Sequence, residues 1–249
     1  QLVRASLRGR PLSQQITARF DWGAHAGKPS RSSECKRELK LTDLTKEVDA
    51  IAATGRLEAD ARDVTHDSRE CGPGSVFVAI RGAKSDAHLH IAQAVERGSV
   101  CVISEREPGK APAWIQVRDA RAALARSSAA LHGHPSRRLK LVGITGTNGK
   151  TTTAHLIDSI VRAGEGTSAM IGTISHRIAG EELDARHTTP EASDIQRMLA
   201  RAVAAGCRSA AMEVSSHAIE LHRADALNFS VAVFTNLTRD HLDYHSTME

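Results

Sequence analysis

The chain has 249 residues, of which 41% are hydrophobic and only 3% aromatic, so Ala, Val, Leu and Ile must fill whatever core it builds. Its 25% charged content is ordinary for a globular protein, and its net charge is +4. The excess sits at the front: residues 1–40 hold nine Lys or Arg against three Asp or Glu, whereas the other 209 hold 24 against 26, so the body offers no electrostatic case for a nucleic-acid partner.

Residues 1–40 mix Arg, Ser, Gly and Pro without period and read as a disordered extension. A first compact unit is expected over 41–136. Within it, Val76–Ile80 is a short apolar run with strand character, and His88–Gly98 has helical spacing that stops at Gly98. Strands follow at Val100–Ile103 and Trp114–Val117, then an Ala-rich amphipathic helix over Arg118–Leu131. His132-Gly133-His134-Pro135-Ser136 breaks the pattern and marks the expected boundary.

The second unit, 137–249, opens with a buried-type strand at Leu139–Ile144, a Gly/Thr loop over Gly146–Thr152 and a helix from Thr153 to Ala163. Further strands are expected at Thr167–Ile171, Ser209–Val214 and Phe229–Thr235, with a helix over Ser193–Ala205. Strands alternating with helices of this length predict an α/β fold: a small N-terminal α/β domain, then a parallel sheet with crossover helices. With three or four strands and no closing elements, that sheet is expected to be truncated. The four cysteines, Cys35, Cys71, Cys101 and Cys207, form no C-x-x-C pair, and no apolar run reaches the roughly eighteen residues of a membrane span. A cytoplasmic monomer without a membrane partner is expected.

The strongest local signal is Gly143-Ile144-Thr145-Gly146-Thr147-Asn148-Gly149-Lys150-Thr151-Thr152, a loop that follows a strand and opens a helix. Glycines there let consecutive backbone N–H groups face phosphate oxygens, and the helix N-terminus adds partial positive charge. Lys150 is placed to bridge β- and γ-phosphates, and the Thr151 hydroxyl to ligate Mg²⁺. The spacing departs from the common phosphate loop, which would put glycine where this chain has Ile144.

Four other segments narrow the reading: Asp67-Ser68-Arg69 with Phe77–Gly82; His187-Thr188-Thr189-Pro190; Glu213-Val214-Ser215-Ser216-His217; and Asn236-Leu237-Thr238-Arg239-Asp240-His241-Leu242-Asp243. Together with the loop, in this order and spacing, they closely resemble the Mur ligases over about Leu41 to Glu249. Within that family they resemble the ligase that adds the third residue to the UDP-N-acetylmuramoyl peptide of peptidoglycan. The resemblance implies a magnesium- and ATP-dependent reaction. ATP phosphorylates the D-Glu side chain of UDP-MurNAc-L-Ala-D-Glu, and the amine of meso-diaminopimelate or L-lysine attacks the acyl phosphate.

It also implies residue roles. Gly146, Thr147, Asn148, Gly149, Lys150, Thr151 and Thr152 would hold ATP. Lys150, Glu213 and His241 would be catalytic, with Thr151, Glu213 and His241 holding Mg²⁺. Ser68, Ala83, Lys84 and Ser85, with His66 nearby, map to the family's uridine-nucleotide contacts. His187, Thr188, Thr189, Ser215 and Arg223 map to its other substrate contacts. Leu221 stands where some relatives carry an amide, so no hydrogen bond is expected there. In the family, a carbamylated lysine beyond the Asp-His-Leu-Asp segment and a third domain complete the site. Neither falls within the 249 residues, so little ligase activity is expected of this chain alone. The alternatives are a MurF-like, folylpolyglutamate or cyanophycin synthetase, a copy that only binds nucleotide, and a P-loop kinase or transport ATPase. The last would leave residues 41–135 without a role.

Overall fold

The computed structural model describes residues 38–82, 85–185, 188–239 and 242–245, all within one compact unit spanning Ser33–Glu249. The chain begins with β1 (Leu39–Lys40), α1 (Leu41–Glu47), β2 (Ala52–Gly55), β3 (Asp60–Ala61) and β4 (Asp63–Thr65). Next come β5 (Ser75–Val78), a 3₁₀ turn and α2 (Ile91–Glu96), β6 (Cys101–Ser104), β7 (Ala113–Gln116) and α3 (Ala120–Leu131). These strands form a five-stranded sheet in the order β2-β7-β6-β5-β4, parallel except for β2, while β1 and β3 pair separately.

Alternation along β5 explains how that sheet is covered. Val76 and Val78 face Leu41, Leu44 and Leu124 of α1 and α3, while Phe77 faces Trp114 and Ala94 of α2 on the other side. With both faces buried, β5 and β6 read as continuous apolar runs. Nine of the twelve residues of α3 are buried, and its small Ala and Ser side chains let it lie close to neighbours on several sides. Asp119 caps it, accepting from the backbone N–H of Arg121 and Ala122.

The second sheet is built from β8 (Lys140–Thr145), α4 (Lys150–Glu165), β9 (Ala169–Ile171), β10 (Ser175–Ile178), β11 (Glu181–Asp184), α5 (Ala192–Ala204), β12 (Ser209–Glu213), α6 (Ser216–Glu220) and β13 (Val231–Phe234), with α7 (Leu242–His245) after it. Its order is β11-β10-β9-β12-β8-β13. The four strands from β9 to β13 are parallel, as expected. The β10–β11 hairpin adds two antiparallel strands at one edge, which the expected all-parallel sheet lacked. Ile195 and Leu199 of α5 pack with Leu141, Ile171 and Met212 on one face; Ala154 and Ile157 of α4 pack with Ile144, Met170 and Ala211 on the other.

The two sheets meet where α3 packs on α5. Arg197 reaches Asp63 at 3.5 Å, and Arg121 reaches Glu191 at 3.7 Å. No described helix is long and apolar enough to cross a membrane.

Candidate active site

The registers of the second sheet converge the site. Glu213 of β12 lies level with Ile144 of β8, and Thr145 of β8 lies level with Phe234 of β13. Their carboxyl ends therefore share one sheet edge, where open α/β folds collect functional loops.

The loop after β8 is held from below by the segment after β13. Asn236 accepts from the N–H of Thr147 through its carbonyl (2.9 Å) and from the N–H of Asn148 through Oδ1 (3.1 Å). Thr235 Oγ1 and Asn236 Nδ2 both donate to the Asn148 carbonyl. Gly146 sits at φ +131°, and a Cβ there would stand 2.2 Å from Thr235 Oγ1, so only glycine permits this approach. The α4 helix starts at Lys150, three residues before the expected Thr153, with left-handed Gly149 as its N-cap. Its first turn therefore carries Lys150, Thr151 and Thr152 at the helix's positive end. Lys150 Nζ donates to the carbonyls of Gly146 (2.6 Å) and Thr147 (3.0 Å), folding over the loop.

Glu213 is 1% exposed. Its Oε2 accepts from Thr151 Oγ1 at 2.9 Å and Thr173 Oγ1 at 3.0 Å, and its Oε1 accepts from the Thr173 N–H at 2.9 Å. The Thr151 hydroxyl and the Glu213 carboxylate thus meet beside the phosphate loop, a pair of hard oxygens of the kind Mg²⁺ takes. Among the described residues no three His, Cys, Asp or Glu side chains gather; of the expected Mg²⁺ ligands, the structure brings Thr151 and Glu213 together.

The expected substrate residues fall into two groups. Thr189 is 1% exposed; its hydroxyl donates to the Glu213 carbonyl (3.0 Å) and accepts from the Ser215 N–H (3.1 Å). Ser215 caps α6, accepting from the Ala218 N–H, and Thr188 lies 3.2 Å from Thr173, hydroxyl to hydroxyl. Arg223, expected as a substrate contact, donates to the Thr189 carbonyl (3.0 Å) and pairs with Glu191 (2.6 Å). The second group lines a cleft of about 680 Å³ that includes His66, Ser68, Ser85, Arg69, Arg121 and Glu191. Ser68 is nearly buried and donates to Gln93 Oε1 at 2.7 Å. Asp67 is pushed down to about 2 by its hydrogen bonds to the Arg69 guanidinium, so this end of the cleft stays charged across the ordinary pH range. Ala83, Lys84, His187 and His241 lie outside the described residues.

Thr173, Glu191 and Arg121 belong to these two groups, and no motif pointed to them. The Asn236 segment was visible as a motif, but its bracing of the loop was not.

A glycine-containing loop between a parallel strand and a helix that opens on Lys150 and Thr151, with a buried acid beside the helix start, has the architecture of a phosphate-loop protein of the α/β class. Residues 144–249 match the Mur ligase middle domain. Over 214 residues the chain is 46% identical to the UDP-N-acetylmuramoyl-L-alanyl-D-glutamate–2,6-diaminopimelate ligase of Geobacter sulfurreducens, covering 85% of this chain and 42% of that one. It is 50% identical over 194 residues to the ligase of the same name from Solibacter usitatus, covering 77% and 39%. A solved structure of a UDP-N-acetylmuramoyl-L-alanyl-D-glutamate–2,6-diaminopimelate ligase superimposes with a TM-score of 0.70 at 26% identity, over 85% of this chain and 42% of that one. The chain belongs to the Mur ligase family and spans about two fifths of the length of the curated relatives it matches.

Proposed function

We propose that this chain provides the nucleotide-sugar and ATP sites of an ADP-forming ligase that extends UDP-MurNAc-L-Ala-D-Glu by a diamino acid. The names of its relatives favour 2,6-diaminopimelate over lysine. The reading places it in the cytoplasm, as a monomer, in peptidoglycan synthesis. The observation that carries it is the hydrogen bond from Thr151, at the start of the phosphate loop's helix, to the buried carboxylate of Glu213, 62 residues away.

In this reading the D-Glu carboxylate attacks the γ-phosphorus of ATP, the bond to the β-phosphate oxygen breaks, and ADP leaves. The diamino acid's amine then attacks the acyl carbon, phosphate departs, and an amide remains. Both nucleophile and phosphate are anions, so the barrier falls chiefly through positioned positive charge. The loop N–H groups and the N-terminus of α4 supply part of it. Lys150 supplies a full charge, exchanging its two loop carbonyls for phosphate oxygens. Mg²⁺, held by Thr151 and Glu213, would neutralise the phosphates further. The 680 Å³ cleft would take the uridine nucleotide against Ser68 and Ser85. Thr188, Thr189, Ser215 and Arg223, lying between the cleft and Glu213, would guide the peptide toward the γ-phosphate.

Calorimetry with Lys150→Ala tests this. Loss of one full charge on the phosphates should weaken ATP binding by about tenfold or more. Unchanged affinity would remove the ligase reading.

A further inference from the structure

The buried carboxylate of Glu213 does not hold its pose by itself. Resting on the function proposed above, we propose that Thr173 is the positioning residue for the metal-binding acid: it seats Glu213 through backbone and hydroxyl together and ties that acid to Thr188.

Three observations carry this. First, Thr173 makes two of the three hydrogen bonds to the carboxylate: its N–H bonds Oε1 at 2.9 Å and its Oγ1 bonds Oε2 at 3.0 Å. Two donors from one residue fix both the position and the rotation of the carboxylate plane. Second, the preceding residue is shaped for the same purpose. A Cβ on Gly172 would stand 2.6 Å from Glu213 Oε1, so glycine there leaves the hollow the carboxylate fills. Third, hydroxyl chemistry sets a direction. A carboxylate oxygen only accepts, so the single hydroxyl proton of Thr173 goes to Glu213. At its 3.2 Å contact with Thr188, Thr173 therefore accepts, and Thr188 donates. The chain of hydroxyls runs Thr188 to Thr173 to Glu213. It links an expected substrate contact to the acid without involving the phosphate loop.

Groups that orient a metal's ligands affect affinity nearly as much as the ligands do. The test is isothermal titration of ATP into the chain at a series of Mg²⁺ concentrations, read as the Mg²⁺ concentration giving half-maximal ATP binding. Thr173→Val keeps the shape and the backbone N–H but deletes the hydroxyl; the half-saturating Mg²⁺ should rise about tenfold. Thr173→Ser, which restores the hydroxyl, should return to within about twofold of the original value. Should the valine variant fail to fold by circular dichroism, Thr173→Ala takes its place with the same expectation. A purely structural role would lower the melting temperature but leave the half-saturating Mg²⁺ where it was, and that outcome overturns the proposal. So does a serine variant no better than valine. Wild-type chain showing no Mg²⁺-dependent ATP binding would instead overturn the functional reading beneath it, and this inference with it.

Discussion

Glu213 is a carboxylate almost wholly out of water, and among the described residues its three hydrogen-bond donors are neutral. Burying such a charge is costly unless it is well bonded, and three donors offset much of that cost. Two of the donors are hydroxyls, which can turn and accept instead. Glu213→Gln should therefore fold, losing only about 1 kcal/mol in urea denaturation. The same variant should lose the Mg²⁺-dependent part of ATP binding, because an amide lacks the charge a hard cation needs. A stable variant with normal Mg²⁺ dependence would show that Glu213 is structural. Gly146 is constrained in another way. At φ +131°, with Thr235 Oγ1 2.2 Å from where a Cβ would stand, Gly146→Ala must move the loop or its brace. Backbone strain of this kind costs about 1–3 kcal/mol, and calorimetry should show a loss of ATP affinity larger than the stability change accounts for.

Between elements, the packing of α4 depends on one buried acid. Asp158 is 1% exposed; it accepts from Ser168 ahead of β9 and pairs with Arg177 of β10 at 2.6 Å and Arg162 of its own helix at 3.2 Å. It therefore pins the β10–β11 hairpin to the helix that carries the phosphate loop. Asp158→Ala leaves Arg177, itself only 14% exposed, with the exposed Glu182 at 3.3 Å as its remaining carboxylate partner, and should cost about 3 kcal/mol in denaturant unfolding. The hairpin itself was not legible in the sequence. Ser175–Ile178 buries His176 and Ile178 on one face, but Ser, His and Arg disguise the alternation, and β11 is nearly all acidic. The apolar strands β5, β6, β8 and β12 were legible because both their faces are buried. The start of α4 was hidden by a run of Thr, which favours strands, and only the left-handed Gly149 makes that turn helical. The same hairpin explains the missed site residue. Thr173 leads into β10 and meets Glu213 forty residues on, a contact made by sheet order rather than local pattern. Glu213 itself could be read at once, as a lone acid ending an apolar strand.

Across the whole molecule, the described residues form one unit whose two sheets are joined by α3 and α5. His132, at the C-terminus of α3, feels both Arg197 and Asp63, the ion pair that spans this seam. Burial lowers its pKa from 6.5, and Arg197 lowers it further, while Asp63 opposes. His176 in β10 is lowered as well, again chiefly by burial. The sign follows from proton counts. Below about pH 6.5 the unfolded chain takes up protons on both histidines before the folded one does, so stability rises with pH in that interval. The loss begins as pH falls through the unfolded value and is complete once it passes the lowered folded values. Asp194, whose pKa is raised by burial from 3.8, acts with the opposite sign at lower pH. Urea unfolding should therefore give a single transition whose midpoint drops between about pH 7.5 and about pH 5.5. The double variant His132→Gln with His176→Gln should flatten that dependence. If the double variant keeps the full slope, the seam and β10 histidines are not its source. If the chain instead unfolds in two steps, the α3–α5 packing and the Arg197–Asp63 and Arg121–Glu191 pairs do not couple the sheets.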